Sequence, residues 1–307
     1  VPTDQIDASA YTGVEHRVTS LFSRLNYDYK EKYLLTAIAR RDGSTRFGGN
    51  NKYGIFPSVS VGWVPSKESF WETNEMINQL KIRGGYGASG NDSSPDYVYL
   101  ATIGDGRDYT IGTSGSVTIG NSPDAPSNPD LKWEETSQLN IGFDARLFKN
   151  FSVAFDWYKK ETTGILQPVP IPGYVGAVGL PTGNVGDMEN TGIDLELGFN
   201  KNFNEVNVSL NGNVSFLENT VTSLGNGIDF ISGGATIQSS TYPITRTQVG
   251  QPVNSFYGYK TNGIFQNQAE INGYVNSAGT VIQPNAQPGD FKWQDLNDDG
   301  TIDSDDR

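Results

Sequence analysis

The residues of this chain whose types and spacing could do chemistry are concentrated in one stretch, DLNDDGTIDSDD, Asp295 to Asp306. Counted from Asp295, oxygen-bearing side chains fall at positions 1, 3, 5, 9 and 12: Asp295, Asn297, Asp299, Asp303 and Asp306. Gly300 stands at position 6, where such a loop must turn sharply, and Thr301 offers its backbone carbonyl at position 7. That spacing wraps a hard cation in oxygens in the manner of an EF-hand loop, with Asp in place of the usual closing Glu. The expectation is a structural Ca2+ site, since protein oxygens at every position leave no open coordination site for catalysis. The alternative is an acidic surface turn, because Asp, Asn and Gly are what turns use anyway.

Other chemistry finds little support. Gly85, Gly87 and Gly90 spell a formal G-x-G-x-x-G, but NDSSPDY follows where a dinucleotide site needs a helix. They read as strand glycines. His16 is the single histidine, which removes His-based zinc clusters and Ser-His-Asp triads. Asp194 and Glu196 could form a hydrolytic pair, yet they share the polar side of one alternating stretch and read as a solvated wall. The chain is not expected to be an enzyme.

The elements that must position these residues are strands. In SQLNIGFDARL, Leu139, Ile141, Phe143, Ala145 and Leu147 alternate with Gln138, Asn140, Asp144 and Arg146. After FKN, Phe151, Val153, Phe155 and Trp157 alternate with Ser152, Ala154, Asp156 and Tyr158. GIDLELGFN and VNVSLNGNVSF repeat the pattern. Period-two alternation means half-buried strands. It places eight of them near 17–29, 33–44, 53–64, 79–89, 133–147, 151–163, 188–201 and 206–218. From the fifth strand onward, tight connections (FKN, NFNE) alternate with long ones (164–187, 219–307), the asymmetry of an outer-membrane barrel. Aromatics near strand ends (Tyr27, Tyr29, Tyr33, Trp63, Trp133, Phe148, Phe151, Trp157) suit an interfacial girdle.

Composition agrees with this reading. The net charge of -13 argues against nucleic acid. There is no cysteine, and Gly 36, Tyr 15 and Phe 15 favour strands and turns. No apolar run approaches the ~20 residues of a membrane helix, which leaves a β-barrel open. The start at VPTDQID and the stop at Arg307 read as those of a piece of something longer.

Specific stretches carry a resemblance. RRDGSTRFGGNNKYGIFPSVSVGW, LKIRGGYGASGN, NPDLKWEETSQLNIGFD, VGDMENTGIDLELGF and PGDFKWQDLNDDGTIDSDDR, in that order, resemble SusC/RagA-type TonB-linked outer-membrane transporters. The resemblance implies about eight strands of an all-β, antiparallel, 22-stranded transmembrane barrel with long external loops. Its N-terminal plug, TonB-contacting segment and last strands are not in this sequence. It further implies import of oligosaccharides or peptides, energy from the TonB system, a SusD-like surface lipoprotein as lid, and an outer-membrane location in a Gram-negative bacterium. On this reading residues 1–16 lead in, 17–218 hold the strands, and 219–307 form an extracellular region carrying the acidic loop. The lumen wall would include Asn140, Asp144, Arg146, Asp156, Asp194 and Glu196. A soluble extracellular β-sandwich, a binding module or adhesin stabilised by calcium, is the competing expectation; a polysaccharide-degrading surface enzyme is the other.

Overall fold

Alternation in this chain resolves into eight antiparallel strands hydrogen-bonded to one another in chain order. The structure is a computed structural model, described here for residues 15–72, 76–101, 103–104, 108–112, 115–169, 171, 173–175, 179–225, 227–233 and 244–307. The strands are β1 (Val18–Tyr29), β2 (Tyr33–Ser44), β3 (Tyr53–Trp63), β4 (Ile77–Asn91), β5 (Glu134–Leu147), β6 (Phe151–Thr163), β7 (Asp187–Phe203) and β8 (Val206–Ser223). All eight expected strands are present, and β8 runs beyond residue 218. Much of the expected lead-in, residues 1–14, lies outside the described residues.

Tight turns close one end of the sheet. Lys30 and Glu31 between β1 and β2, and Phe148 and Lys149 between β5 and β6, take positive φ values of 49–63°. Left-handed residues of this kind match the twist of paired strands at short hairpins. Residues 64–76, with a 3-10 turn at Pro65–Lys67, connect β3 to β4 at this same end. The connections 45–52, 92–133 and 164–186 emerge at the other end. Two of them carry short ladders of their own: Ile103–Gly104 with Ser122–Pro123, Tyr109–Ile111 with Ser116–Thr118, and Leu166–Pro168 with Thr182–Asn184.

Register decides which side chains share a face, because directly opposed residues in a ladder point the same way. Leu80, Ala145, Val153 and Leu197 form one row across β4 to β7; Ile82, Phe143, Phe155 and Leu195 form the next, and Gly84, Ile141, Trp157 and Ile193 the next. The apolar set therefore makes one continuous face across the sheet. A sandwich would bury that face under a second sheet. Instead Leu21 is 73% exposed, Ile55 68%, Ile141 51% and Phe216 68%. The sandwich expectation is thereby corrected: this face has no protein core beneath it.

The band ends sharply. On β6 it runs from Phe151 to Trp157 and gives way at Lys159, which pairs with Glu161 at 2.8 Å and with Glu189 at 3.0 Å. At ~3.4 Å per residue, Phe151 to Lys159 spans roughly 27 Å along the strand. A tilt of ~40° reduces this to about 21 Å, close to the ~25 Å apolar band of an outer-membrane barrel. The short-turn end carries ring pairs on or beside the same face: Tyr29 with Tyr33 at 6.4 Å, Trp63 with Phe70 at 6.5 Å, Phe148 with Phe151 at 6.4 Å, and Phe151 with Phe199 at 4.9 Å. Trp157 departs from the expected girdle, since its row lies within the apolar band, opposite Ile141 and Ile193. Trp133 departs too. It packs on Phe47 at 5.2 Å and Phe56 at 5.5 Å and donates its indole N–H to the Lys52 carbonyl at 3.3 Å. With Leu131 these residues form a small buried cluster where the long loops emerge.

Residues 227–307 make a second compact unit. It contains β9 (Phe230–Gly233), β10 (Thr245–Gln248) and β11 (Ser255–Phe256) in one small sheet, and β12 (Thr261–Ile264) paired with β13 (Phe291–Trp293). The helix α1 (Gln268–Gly273) is capped by Asn267, whose side-chain oxygen accepts from the Glu270 amide at 3.0 Å. Its core is Phe265, Ile271 and Ile282. Among the described residues no helix is long and apolar enough to cross a membrane, which says nothing about strands.

Candidate functional site: the polar face and the acidic loop

The face opposite the apolar one gathers the six residues singled out from the sequence. Arg146 lies opposite Ser152; Asp144 opposite Ala154, which opposes Glu196; Asn140 opposite Tyr158; and Asp156 opposite Asp194. The alternation that sends Ile141, Phe143 and Leu195 one way sends these the other.

The centre of this face is an ion cluster that includes a residue absent from that list, Arg83 on β4. Its guanidinium reaches Asp144 on β5, with Nε 3.2 Å and Nη2 3.2 Å from carboxylate oxygens. It also grips Asp156 on β6 in a two-pronged contact, Nη2 donating to Oδ2 at 2.6 Å and Nη1 to Oδ1. The planar fork of arginine matches two carboxylate oxygens at once. Reaching over a strand requires an empty place on β5. Gly142 supplies it, lying in register between Arg83 and Asp156. A methyl group there would collide with the Asp156 carboxylate and the Phe155 carbonyl. Arg83 was legible in LKIRGGYG, where Leu80 and Ile82 on the apolar side force Lys81 and Arg83 onto the polar one.

Two clefts open on this face. One, of about 310 Å³, is lined by Leu34, Thr36, Ser60, Lys81, Arg83 and Asn140 among others. The second, of about 290 Å³, includes Gln79, Lys81, Asp144, Arg146, Ser152 and Glu196. Hydroxyl, amide and charged groups of both signs line them. Such a surface hydrogen-bonds polar solutes and offers no nucleophile paired with a base. Gly85 and Gly87 lie within β4, next to the first cleft, with no helix following.

At the long-loop end a polar network ties the connections together. Asp92 accepts from the Ser44 hydroxyl at 2.7 Å and lies 3.0 Å from His16 Nε2. Arg46 donates to Asp96 at 3.2 Å and to the Asp92 carbonyl at 3.1 Å. At the short-turn end Lys32 pairs with Glu68 at 2.9 Å and Lys67 pairs with Glu31. Hydrogen bonds from Tyr33 and Lys32 hold the Glu68 carboxyl below its ordinary range, and Lys67 does the same for Glu31.

The acidic loop adopts a defined shape. Gly300 has φ +85°, and its amide donates to Asp295 Oδ2 at 2.8 Å. Asp306 is fully buried: Oδ1 accepts from the Leu296 amide at 2.7 Å and Oδ2 from the Asp303 amide at 2.9 Å. Asp303 caps the short 3-10 turn Ser304–Asp306 by accepting from the Asp305 amide at 2.9 Å. Asp299 accepts from the Thr301 amide at 2.8 Å and from the Asn297 side-chain amide at 2.9 Å. Asp298, between the ligand positions, accepts from the Ser277 amide at 2.9 Å and from its hydroxyl, which holds its carboxyl below the ordinary range. Among the described residues no three acidic or histidine side chains converge on a common centre. One observation fits a cation: Asp295 Oδ1 is buried and has no hydrogen-bond partner.

Comparison with known proteins places these features. The family profile described as "TonB dependent receptor-like, beta-barrel" matches residues 2–303. A TonB-dependent receptor of Formosa agariphila is 38% identical over 82% of this chain, and another is 36% identical over 99% of it. TonB-dependent receptor SusC of Bacteroides thetaiotaomicron is 29% identical over 98% of this chain. The chain spans 23%, 30% and 29% of the lengths of these three relatives. Among solved structures, the RagAB peptide transporter matches with a TM-score of 0.69 and 30% identity, over 82% of this chain and 26% of that one. The RagAB peptide importer in its closed-closed state matches with a TM-score of 0.70 and 28% identity over 93% of this chain and 30% of that one. The exposed apolar face, the polar face behind it and these matches lead to one identification: the chain belongs to the TonB dependent receptor-like β-barrel family, and within it to the SusC/RagA kind.

Proposed function

We propose that this chain is part of the wall and outer loops of an outer-membrane transporter that imports oligosaccharides or peptides. The observation that carries the proposal is the two-faced sheet. An exposed apolar band of roughly membrane thickness lies on one side, and a charged, amide-rich surface on the other. In a barrel the first face meets lipid and the second lines the lumen, where Asn140, Asp144, Arg146, Asp156, Asp194 and Glu196 contact passing solute. The long loops face outside the cell, beneath a SusD-like lipoprotein, and the TonB system supplies energy through a plug outside this chain. The relatives named TonB-dependent receptor and SusC, and the RagAB peptide transporter, support this reading. No covalent chemistry is assigned to the chain.

The test is uptake. Deleting the full-length gene in the source organism should abolish growth on one class of oligosaccharide or peptide and leave growth on the free sugar or amino acids intact. Purifying the tagged full-length protein from outer membranes should co-purify a surface lipoprotein. Unchanged growth on every oligomer tried, with no lipoprotein retained, would overturn the proposal.

The acidic loop is part of the same reading. We infer that Asp295, Asn297, Asp299, Asp303 and Asp306, with the Thr301 carbonyl, hold a structural Ca2+ that stiffens an external segment. The residue spacing and the orphaned Asp295 oxygen support it. Closure on the ion requires Asp299 and Asp303 to turn away from the amides they now accept from.

A further inference from the structure

Residues 227–307 enclose a cavity whose charge runs against that of the chain. It has a volume of about 410 Å³, and its lining includes Arg246, Lys260, Arg307, Gln248, Gln251 and Ser255, with no Asp or Glu. In a chain of net charge -13, three cations around one cavity are a local reversal of sign. Such a reversal raises the local concentration of anions.

The arginines are arranged in an unusual way. The Arg246 guanidinium carbon lies 3.7 Å from the centroid of the Phe230 ring and 4.8 Å from that of Tyr257. That of Arg307 lies 4.9 Å from the same Tyr257 ring and 5.4 Å from Tyr259. Two guanidinium groups thus lie within reach of one tyrosine. Cation–π contact favours each separately, while their like charges repel. An anion between them removes that repulsion. Arg246 also has donors to spare. Its Nε is buried without a hydrogen-bond partner, and no carboxylate among the described residues pairs with it. The stretch GATIQSSTYP, residues 234–243, contains no acidic residue that could serve. Ring faces fix the guanidinium plane and leave its donor edge for an acceptor. A carboxylate matches that edge with two parallel hydrogen bonds, and Gln248, Gln251 and Ser255 supply neutral hydrogen-bonding groups beside it.

We propose that this cavity is a binding site for a carboxylate-bearing solute, with Arg246 as its principal anchor and Lys260 as an auxiliary charge. The inference stands apart from the transport reading, since it rests on the cavity and its cations alone. Two sources of the carboxylate are chemically equivalent at this point: an acidic peptide and a uronic-acid glycan.

The test uses the full-length receptor purified in detergent and isothermal titration calorimetry. The probes are triglutamate against triglutamine, and trigalacturonate against its methyl ester. The expected result is that in at least one pair the acid binds at least tenfold more tightly than the neutral probe. Which pair responds tells peptide from glycan. Arg246→Gln should abolish the preference, and Lys260→Gln should reduce it several-fold. Lys260 is exposed, so its substitution tests the proposal even where Arg246→Gln fails to reach the membrane. No preference in either pair, or a preference kept in both variants, would overturn the assignment.

Discussion

Gly142 and Asp156 oppose each other across β5 and β6 so closely that a side chain of one carbon at 142 would strike the carboxylate. This closeness is what lets Arg83 reach past one strand to the next. Gly142→Val should therefore do more than overpack. It should destabilise the sheet by about 1–3 kcal/mol and separate Arg83 from Asp156. Asp156→Asn keeps the shape, leaves Arg83 with Asp144, and should cost ~1 kcal/mol or less for a partly exposed pair. Urea denaturation of the full-length receptor in micelles measures both. Equal costs would mean that the glycine serves no spacing role.

The assignment of faces makes a paired prediction. Ile141→Arg, in the middle of the apolar band, should cost roughly 2–4 kcal/mol, the penalty for arginine at the membrane midplane. Asn140→Arg, one residue away on the polar face, should be tolerated. Folding yield into lipid vesicles, scored by heat-modifiable migration on a gel, separates them. Comparable losses at both positions would contradict the assignment of faces.

Acid should loosen the short-turn end late. The Glu68 carboxyl is held below its ordinary value by Tyr33 and Lys32, so its contribution is complete above the unfolded-state value of about 4.3. That contribution is lost only as pH falls through the lower, folded-state value. Glu68→Gln should remove this acid-dependent part and leave stability lower but flatter below pH ~4. A denaturation series from pH 7 to pH 3 on both proteins tests it.

The cluster around Trp133 predicts a local failure. Trp133→Ala removes the ring on which Phe47 and Phe56 pack, at a cost of ~3–5 kcal/mol for a large buried aromatic. Because the cluster lies at the loop end, protease should cut within 92–133 while the strands stay protected. Peptide mapping after brief proteolysis should find new cuts in that connection and none in β5 or β6.

The cation proposal is read out with terbium luminescence, excited through Trp293 close to the loop in sequence. The wild-type receptor should give a saturable signal that Ca2+ displaces, and Asp299→Ala should weaken binding at least tenfold. Equal, weak signals from both would sink it.

Much of the wall was legible in the sequence, because a sheet with one apolar side must alternate and its register then follows from short turns. Leu139 to Leu147 alone fixed β5 and its faces. What stayed hidden depends on neighbours distant in the chain. Trp133 read as a girdle aromatic because it borders a strand, but Phe47 and Phe56 draw it into the loop cluster. Gly142 breaks no pattern, and its role is visible only once Arg83 and Asp156 are brought to either side of it. The Arg246 cavity gave no signal at all, since Phe230, Tyr257 and Arg307 are loop-region residues with no shared period.

The eight strands neighbour one another in chain order, with no crossover and with register breaks only near strand ends. Such a ladder behaves as a laminate under load. A pull along the barrel axis is met as shear, shared by many parallel hydrogen bonds, rather than as peeling of one bond at a time. The ring pairs at the short-turn end sit where a bilayer interface would resist axial slip. Any force transmitted to solute or plug inside the barrel would then move the cargo and leave the wall in place.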